Sequence, residues 1–384
     1  MDTDNRHIVH FDLDSFFVSV ERLMNSRLNG VPVIVGGMSD RGVVAACSYE
    51  ARTFGVHSAM PMKLARRLCP HAFFVRGDMD VYSRYSRMVT AIIDESAPLY
   101  EKASVDEHYL DLTGMDRFFG CLKWSHELRH RIIKETGLPI SFGLSVNKTV
   151  SKMATGEAKP NGEKEVLSGE VRPFLWPLSI RKIPMVGPST YRLLRSMGID
   201  RIETLGSMPP EMLRHALGKN GIELWRRANG IDPTPVEPYS ERKSISSERT
   251  FEQDTGDLRM LMATVVKMTE RLAFQLRAGE RLSGCITVKI KYSDFDTRTL
   301  QKKVPYTSFD HLLIPVAKDL LTRLYTRRVM VRLVGVKLSH LISGAPQLDL
   351  FDDTPRQVNL YRALDYVRQR FGAGAVGRAG KEGV

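Results

Sequence analysis

Apolar residues in the first 170 positions fall into short runs separated by segments of helical spacing. "HIVHFDLD", "VPVIVGG", "GVVAACS", "AFFVRG" and "PISFGLSV" have the length and β-branched or aromatic content of strands. "SFFVSVERLMN" and "AMPMKLARRLC" instead place apolar residues on one helical face, residues 78–97 and 121–136 read as longer helices, and another helix starts at Asn147. This alternation predicts an α+β or α/β sheet with helices on one side. Residues 171–235 change character: they are helical with short loops, and "IPMVGPSTYRLLRSMGI" reads as two helices joined by a Gly-containing turn. The Pro-rich "GIDPTPVEPYSERKS" reads as an extended linker. A second, smaller α/β unit is expected over 246–342. There, Ile286, Val288 and Ile290 alternate with Thr287, Lys289 and Lys291, and Val329, Val331 and Leu333 alternate with Arg328, Met330 and Arg332. These strands predict a sheet with one oily and one cationic face.

Charge sharpens this division. Residues 1–170 hold 21 Lys/Arg and 22 Asp/Glu, while residues 171–240 carry a net +4 and residues 241–340 a net +8. A neutral, acid-rich first part followed by basic segments points to a polyanionic partner such as nucleic acid. Within the 384 residues there is no apolar run of membrane-spanning length, and "MDTDNRHIVH" lacks a basic-then-apolar signal pattern. Cys47, Cys69, Cys121 and Cys285 are far apart, with no C-x-x-C and no nearby His pairing, which argues against a cysteine zinc site or a disulfide framework. The expectation is a cytoplasmic protein without membrane contact.

Candidate chemistry begins with two acidic clusters. Asp12 and Asp14 end an apolar strand and share a face if the strand continues. Asp106 and Glu107 are adjacent in "SVDEHYLDLTG" and act together only if residues 99–105 and 108–113 form two strands with the acids at the bend. Such carboxylates suit Mg²⁺, which takes a few protein oxygens together with substrate phosphates. Tyr49 and Arg52 would be neighbours on one helical turn, offering a hydroxyl and a guanidinium fork to a phosphate. Lys159 precedes Pro160-Asn161-Gly162 at a helix end, where it also offsets the helix dipole.

In this order, "DLDSFF", "YEARTFGV", "SVDEHYLD" and "AKPNG" resemble the marks of the Y-family DNA polymerases, in particular the DinB or DNA polymerase IV branch. The resemblance spans essentially the whole chain. It implies an α+β right-hand polymerase with palm, fingers and helical thumb, plus a separate α/β little finger. The palm would cover 1–170 with fingers inserted at about 22–76. The thumb, with its helix-hairpin-helix-like turn, would cover 171–235, the linker 236–245, the little finger 246–342 and a tail 343–384. The implied activity is template-directed, low-fidelity extension of primers with deoxynucleoside triphosphates past damaged bases, by a monomer on primer-template DNA. Asp12, Asp106 and Glu107, with the carbonyl of Leu13, would hold two Mg²⁺ ions. Tyr49, Arg52 and Lys159 would hold the triphosphate. Phe17 would be the steric gate against a 2′-hydroxyl, and Phe16 would lie under the incoming nucleotide. Asp14 and Asp111 would be structural support, and Ser104 would steady Asp106.

Three positions depart from the family pattern: Ala46 where a Thr hydroxyl is common, His108 beside the acids, and Pro188 in the thumb turn, where the missing N–H removes one backbone donor to phosphate. His108 raises the expectation of altered packing or pH response. "QLDLF" resembles the bacterial sliding-clamp-binding peptide, with Gln347, Leu348, Leu350 and Phe351 as its contacts. Two other readings remain at this stage: a palm-domain nucleotidyl cyclase, and a non-catalytic, clamp-recruited DNA-binding protein.

Overall fold

The computed structural model describes residues 6–115, 120–238, 241–344, 354–372 and 374–376. The chain divides into two compact units, Met1–Ser240 and Glu241–Val384. In the first, β1 (Ile8–Leu13) and α1 (Phe16–Met24) are followed by β2 (Val33–Gly36), β3 (Val44–Cys47), α2 (Tyr49–Arg52), α3 (Met62–Leu68) and β4 (Phe73–Val75). Then come α4 (Met79–Ser96), β5 (Tyr100–Lys102), β6 (Glu107–Asp111), α5 (Cys121–Thr136), β7 (Ile140–Ser145), α6 (Lys148–Ala158) and β8 (Glu163–Glu165). Among the described residues, five α-helices close the unit, α7 (Val171–Leu175), α8 (Pro188–Ser196), α9 (Ile202–Ser207), α10 (Pro210–Leu217) and α11 (Lys219–Ala228), with short 3₁₀ turns at Ser168–Glu170 and Ile180–Lys182.

The larger sheet has the order β5-β6-β1-β7-β8, with β1 central and antiparallel to both neighbours. Val9, Phe11 and Leu13 on one face of β1 join Leu110, Phe142 and Leu144 in a core with Ile92 and Ile93 of α4 and Leu128 and Ile132 of α5. The opposite face, carrying His10 and Asp12, is crossed by α6. Helices therefore lie on both sides of this sheet, not on one as its pattern suggests. The clue is β7, buried at all six positions, as expected of a strand covered on both faces. β2, β3 and β4 form a separate small sheet around Ile34, Val44, Cys47 and Met62.

The Pro-rich connector is extended but not free at its start. Val236 packs with Ile8 and Tyr109, and the Glu237 N–H donates to Glu101 at 2.8 Å. Ser244 and Ile245, expected in the linker, already belong to the next strand. Pro188 occupies the first position of α8. A missing N–H there leaves the helix's own hydrogen bonds intact, because that position has no intrahelical acceptor.

The second unit contains β9 (Ser244–Thr255), α12 (Leu258–Ala278), β10 (Arg281–Tyr292), β11 (Thr297–Thr307), α13 (Asp310–Leu324), β12 (Val331–Ser343) and α14 (Thr354–Phe371). Its antiparallel sheet runs β11-β10-β12-β9, and Ile286, Val288 and Ile290 point into a core with α12 and α13. The alternation expected along β12 breaks at a bulge: Val331 pairs with Thr255 but Leu333 with Thr250. Beyond it the buried set becomes Val334, Val336 and Leu338, leaving Leu333 only partly covered. The cationic face is also less free than its sequence implies. Lys289 reaches across Gly335 to both carboxylate oxygens of Glu248, at 3.0 and 3.1 Å. A Cβ at Gly335 would lie 2.8 Å from Glu248 Cγ, so the glycine opens that path. No helix among the described residues is long and apolar enough to cross a membrane.

The helical stretch in the tail is α14, and it docks on the second unit. Tyr361 is 4% exposed, stacks on Phe309 with ring centroids 5.2 Å apart, and its hydroxyl lies 2.8 Å from His311 Nδ1. The Arg277 guanidinium lies 4.6 Å over the Tyr361 ring. It donates to both Asp365 oxygens at 2.6 and 2.9 Å and to Asp310 at 2.7 Å. Charged hydrogen bonds of this kind are each worth about 1.5–3 kcal/mol net. Asp365→Ala should therefore speed amide exchange in α14 by about 10–100-fold while Asp310 keeps Arg277 in place and β10 stays protected. Hydrogen exchange read by mass spectrometry measures both, and unchanged protection of α14 would contradict the docking.

Candidate active site

Asp12 on β1 and Glu107 at the start of β6 are directly paired across the two strands, so their side chains share a face. The expected hairpin is present: Lys102 pairs with His108, and the Ala103 N–H donates to the Glu107 carbonyl at 3.0 Å. Asp106 lies in the bend, where its carbonyl accepts from the Leu13 N–H at 3.0 Å. Its carboxylate accepts from Ser104 Oγ at 2.5 Å, while the same hydroxyl accepts from the Asp106 and Glu107 N–H groups. The structure thus brings the carboxylates of Asp12 and Glu107 together with His10, ligand atoms lying within 4.8 Å of one another. Asp106 adjoins them through its backbone, its carboxylate engaged by Ser104.

Two carboxylates directly opposed on neighbouring strands repel unless cations intervene, and α6 supplies them. Lys148, Lys152, Thr155 and Lys159 recur at i, i+4, i+7 and i+11, hence along one side of the helix and its C-cap. Lys148 Nζ meets Glu101 at 2.6 Å, Lys152 Nζ meets Glu107 at 2.6 Å, and Lys159 Nζ meets Asp12 at 2.5 Å. Lys159 also lies 3.4 Å from the Leu13 carbonyl. Thr155 Oγ1 donates to the His10 carbonyl at 2.9 Å and lies 2.9 Å from His10 Nδ1. α6 comes this close because β7 carries Gly143 beneath it: a Cβ there would fall 2.3 Å from the Ser151 carbonyl and 2.5 Å from the Thr155 nitrogen. Lys152, Thr155 and His10 were missed in the sequence, although the helical spacing of the lysines is visible in "NKTVSKMATGEAKPNG".

These surroundings push the two acids apart electrostatically. Burial raises the Asp12 carboxyl to about 6, more than Lys159 lowers it, and Glu107 and Asp106 nearby add to the rise. Burial pushes Glu107 up as well, but its partners hold it down at about 2. The Lys152 ammonium at 2.6 Å is the main cause, since His10 Nε2 at 3.8 Å is beyond hydrogen-bond range. Burial keeps His10 neutral, down at about 4. His108 is fully buried, 3.0 Å from Thr90 Oγ1, and burial lowers it to about 3. The pH response expected of His108 therefore has no basis above acid pH; its role is packing.

Asp14 is 2% exposed and ties the site together. It accepts from Ser141 Oγ at 2.8 Å, the Asn161 N–H at 2.7 Å and Tyr49 Oη at 3.1 Å. Tyr49 and Arg52 share the single turn of α2, capped by Ser48, with the guanidinium 4.6 Å over the Tyr49 ring. Asp111, at the other end of β6, accepts from the Thr113 N–H at 3.0 Å. Phe16 is 3% exposed and belongs to the core. Phe17 is partly exposed and stacks on Tyr82, ring centroids 4.3 Å apart and 12° from parallel. Tyr82, anchored through its hydroxyl to Glu21 at 2.5 Å, is a second residue the sequence did not reveal. Ala46 sits on β3 opposite Val35. Gln347, Leu348, Leu350 and Phe351 lie outside the described residues.

Residues 11–156 match the impB/mucB/samB family, residues 168–199 the helix-hairpin-helix (HHH) motif of that family, and residues 242–350 its C-terminal domain. The chain is 39% identical over 375 residues to a DNA polymerase IV of Dehalococcoides mccartyi, covering 97% of this chain and 96% of the relative. It is 40% identical over 359 residues to DNA polymerase IV 2 of Agrobacterium fabrum, covering 90% and 99%. Among solved structures, a Y-family DNA polymerase chimera of Dbh and Dpo4 aligns with a TM-score of 0.80 at 29% identity, over 88% of this chain and all of that one. An insertion ternary complex of Dbh DNA polymerase aligns at 0.64 and 28%, with the same coverage.

A divalent cation held by the Asp12 carboxylate would meet an acid limit set by that raised value. Asp12 is mostly ionised at pH 7.5 and mostly protonated at pH 5.5, given its value of about 6. Binding to the DNA-free chain should weaken by about fourfold between those two pH values. Calorimetric titration with Mg²⁺ measures this, and an affinity flat across that range would contradict a cation held by Asp12 in the environment described here.

Proposed function

The chain belongs to the impB/mucB/samB family, Y-family DNA polymerases of the DNA polymerase IV branch, and we propose that the acid face of β1 and β6, with α6 over it, carries its nucleotidyl transfer. It is a translesion DNA-directed DNA polymerase with the right-hand fold and a separate little finger. The cyclase and the non-catalytic readings fall away with that membership. One observation carries the assignment of the site: two carboxylates face each other across β1 and β6, each matched by an ammonium from α6.

A divalent cation is implied by the family, and the donor set suits a hard one: carboxylate and carbonyl oxygens, with ammonium groups already standing where positive charge is needed. Asp12, Asp106, Glu107 and the Leu13 carbonyl would hold two Mg²⁺ ions. Such ions would supply acidification of the primer 3′-hydroxyl and neutralisation of charge on the leaving pyrophosphate. Lys159 would pass from Asp12 to the triphosphate oxygens, joined by Tyr49 and Arg52, while Lys152 keeps Glu107 ionised. Phe17, fixed by Tyr82, closes the space a 2′-hydroxyl would need. Phe16 supports it from the core, its backbone the part left to meet a nucleotide.

The domain reading that accompanies this is palm 1–170 with fingers at about 22–76, thumb 171–235, a linker shortened to 236–243, a little finger running from β9 through β12 at 244–343 and a tail from 344. Primer-template DNA would run along the basic later segments. Gln347, Leu348, Leu350 and Phe351 would engage a bacterial sliding clamp.

One assay tests these roles: extension of a primed template with Mg²⁺. Asp106→Ala should slow extension by roughly 100-fold or more, the scale on which one charge-stabilising group acts, while DNA affinity stays near normal. Wild-type extension by that variant would overturn the catalytic assignment. Phe17→Ala should raise ribonucleotide insertion by about 10–100-fold; unchanged sugar selectivity removes the gate. Deleting residues 347–351 should abolish stimulation by the clamp and leave basal extension unchanged, and persistent stimulation would rule the peptide out as the contact.

A further inference from the structure

Contrary to the expectation of no histidine near a cysteine, Cys69 Sγ lies 3.7 Å from His71 Nε2, but no third ligand group joins them among the described residues; α5 contains a different unused motif. Residues 126–130 read His-Glu-Leu-Arg-His, and two histidines four apart on a helix face the same way, an arrangement that holds transition metals. The His126 and His130 ring centroids are 4.3 Å apart, and both residues are exposed. A third group comes from β8: both Glu163 oxygens lie within hydrogen-bond distance of His126 Nδ1, at 3.1 and 2.9 Å.

That contact decides the ring's chemistry. A carboxylate only accepts, so Nδ1 of His126 carries the hydrogen and Nε2 of the neutral ring carries the lone pair. A carboxylate behind one imidazole nitrogen, with the other turned outward, is the usual support of a metal-bound histidine. Glu163 is itself held in place: it pairs with Phe142 in the β7–β8 ladder, and Arg129 Nη1 lies 3.8 Å from it. Glu127, the residue that serves as general base in hydrolases with this motif, is 65% exposed in its side chain and lies 3.9 Å from Lys123. At that exposure it stands in water, so an ion held by this motif would lack the buried base that hydrolysis uses.

We propose that His126 and His130, with Glu163 orienting His126, form a surface site for a nitrogen-seeking divalent cation such as Zn²⁺ or Cu²⁺, separate from the acids of the active site. Imidazole ligands select such ions over Mg²⁺. Arg129 connects the site to the nucleotide lysine's loop: its Nη2 donates to the Asn161 carbonyl and side chain at 2.6 and 2.7 Å, two residues from Lys159.

The test uses the full, untagged chain in excess Mg²⁺, with Cu²⁺ as the probe read by electron paramagnetic resonance. The helix pair offers two imidazole nitrogens, whereas the acid cluster offers only that of His10. Wild-type protein should show coupling to two nitrogens. His126→Ala/His130→Ala should lose it while primer extension in Mg²⁺ stays within twofold, which also shows that the variant is folded. Glu163→Gln should weaken Cu²⁺ binding by roughly tenfold. A two-nitrogen signal that survives the double substitution, or a wild-type signal with one nitrogen or none, overturns the proposal.

Discussion

Like charges set the terms for this molecule. Asp12 and Glu107 are register partners on adjacent strands, and two carboxylates about 5 Å apart repel by about 3 kcal/mol at an effective dielectric near 20. A sheet does not keep that pair without compensation. In the free chain the compensation comes from one side of α6, which matches a cation to each acid in turn: Lys148 to Glu101, Lys152 to Glu107, Lys159 to Asp12. The helix that answers the repulsion also packs Val150, Met153 and Ala154 into the core of the following helical segment. Electrostatic need and hydrophobic burial thus use different sides of the same helix and its C-cap, Lys159.

Much of the first unit was readable because its signals are local. The apolar run of β1 was legible up to Leu13, where the strand ends, so Asp14 lies in the following turn and meets Asp12 through Lys159 and not through strand period; the bend before β6 follows from two strand-like runs flanking Asp106, and "YEAR" closes as a single turn behind Ser48. What escaped reading depends on pairings distant in sequence. The lysine spacing of α6 is plain in the chain, yet nothing local says that Lys159 meets an acid 147 positions earlier. Tyr82 behind Phe17 belongs to the same class, as does the second layer of helix over the sheet. In the second unit a single bulge in β12 exchanged the inward set of residues, because alternation carries no warning of an inserted residue.

The second unit shows how far composition can mislead. A net charge of +8 over residues 241–340 suggests an open cationic face, but Lys289 is spoken for by Glu248, and Arg327 by Asp294 and Asp296. The field felt by a polyanion comes from what remains after such internal pairing. Arg277 is drawn inward altogether, binding the tail helix to α13's first residue, Asp310.

Gly143 has a wider consequence. It contributes no functional group, yet the distance between sheet and helix at that point decides whether the α6 ammonium groups come level with the acids. Heritable variation in catalytic rate can therefore enter through a position with no side chain of its own, and a survey restricted to reactive groups would pass over it.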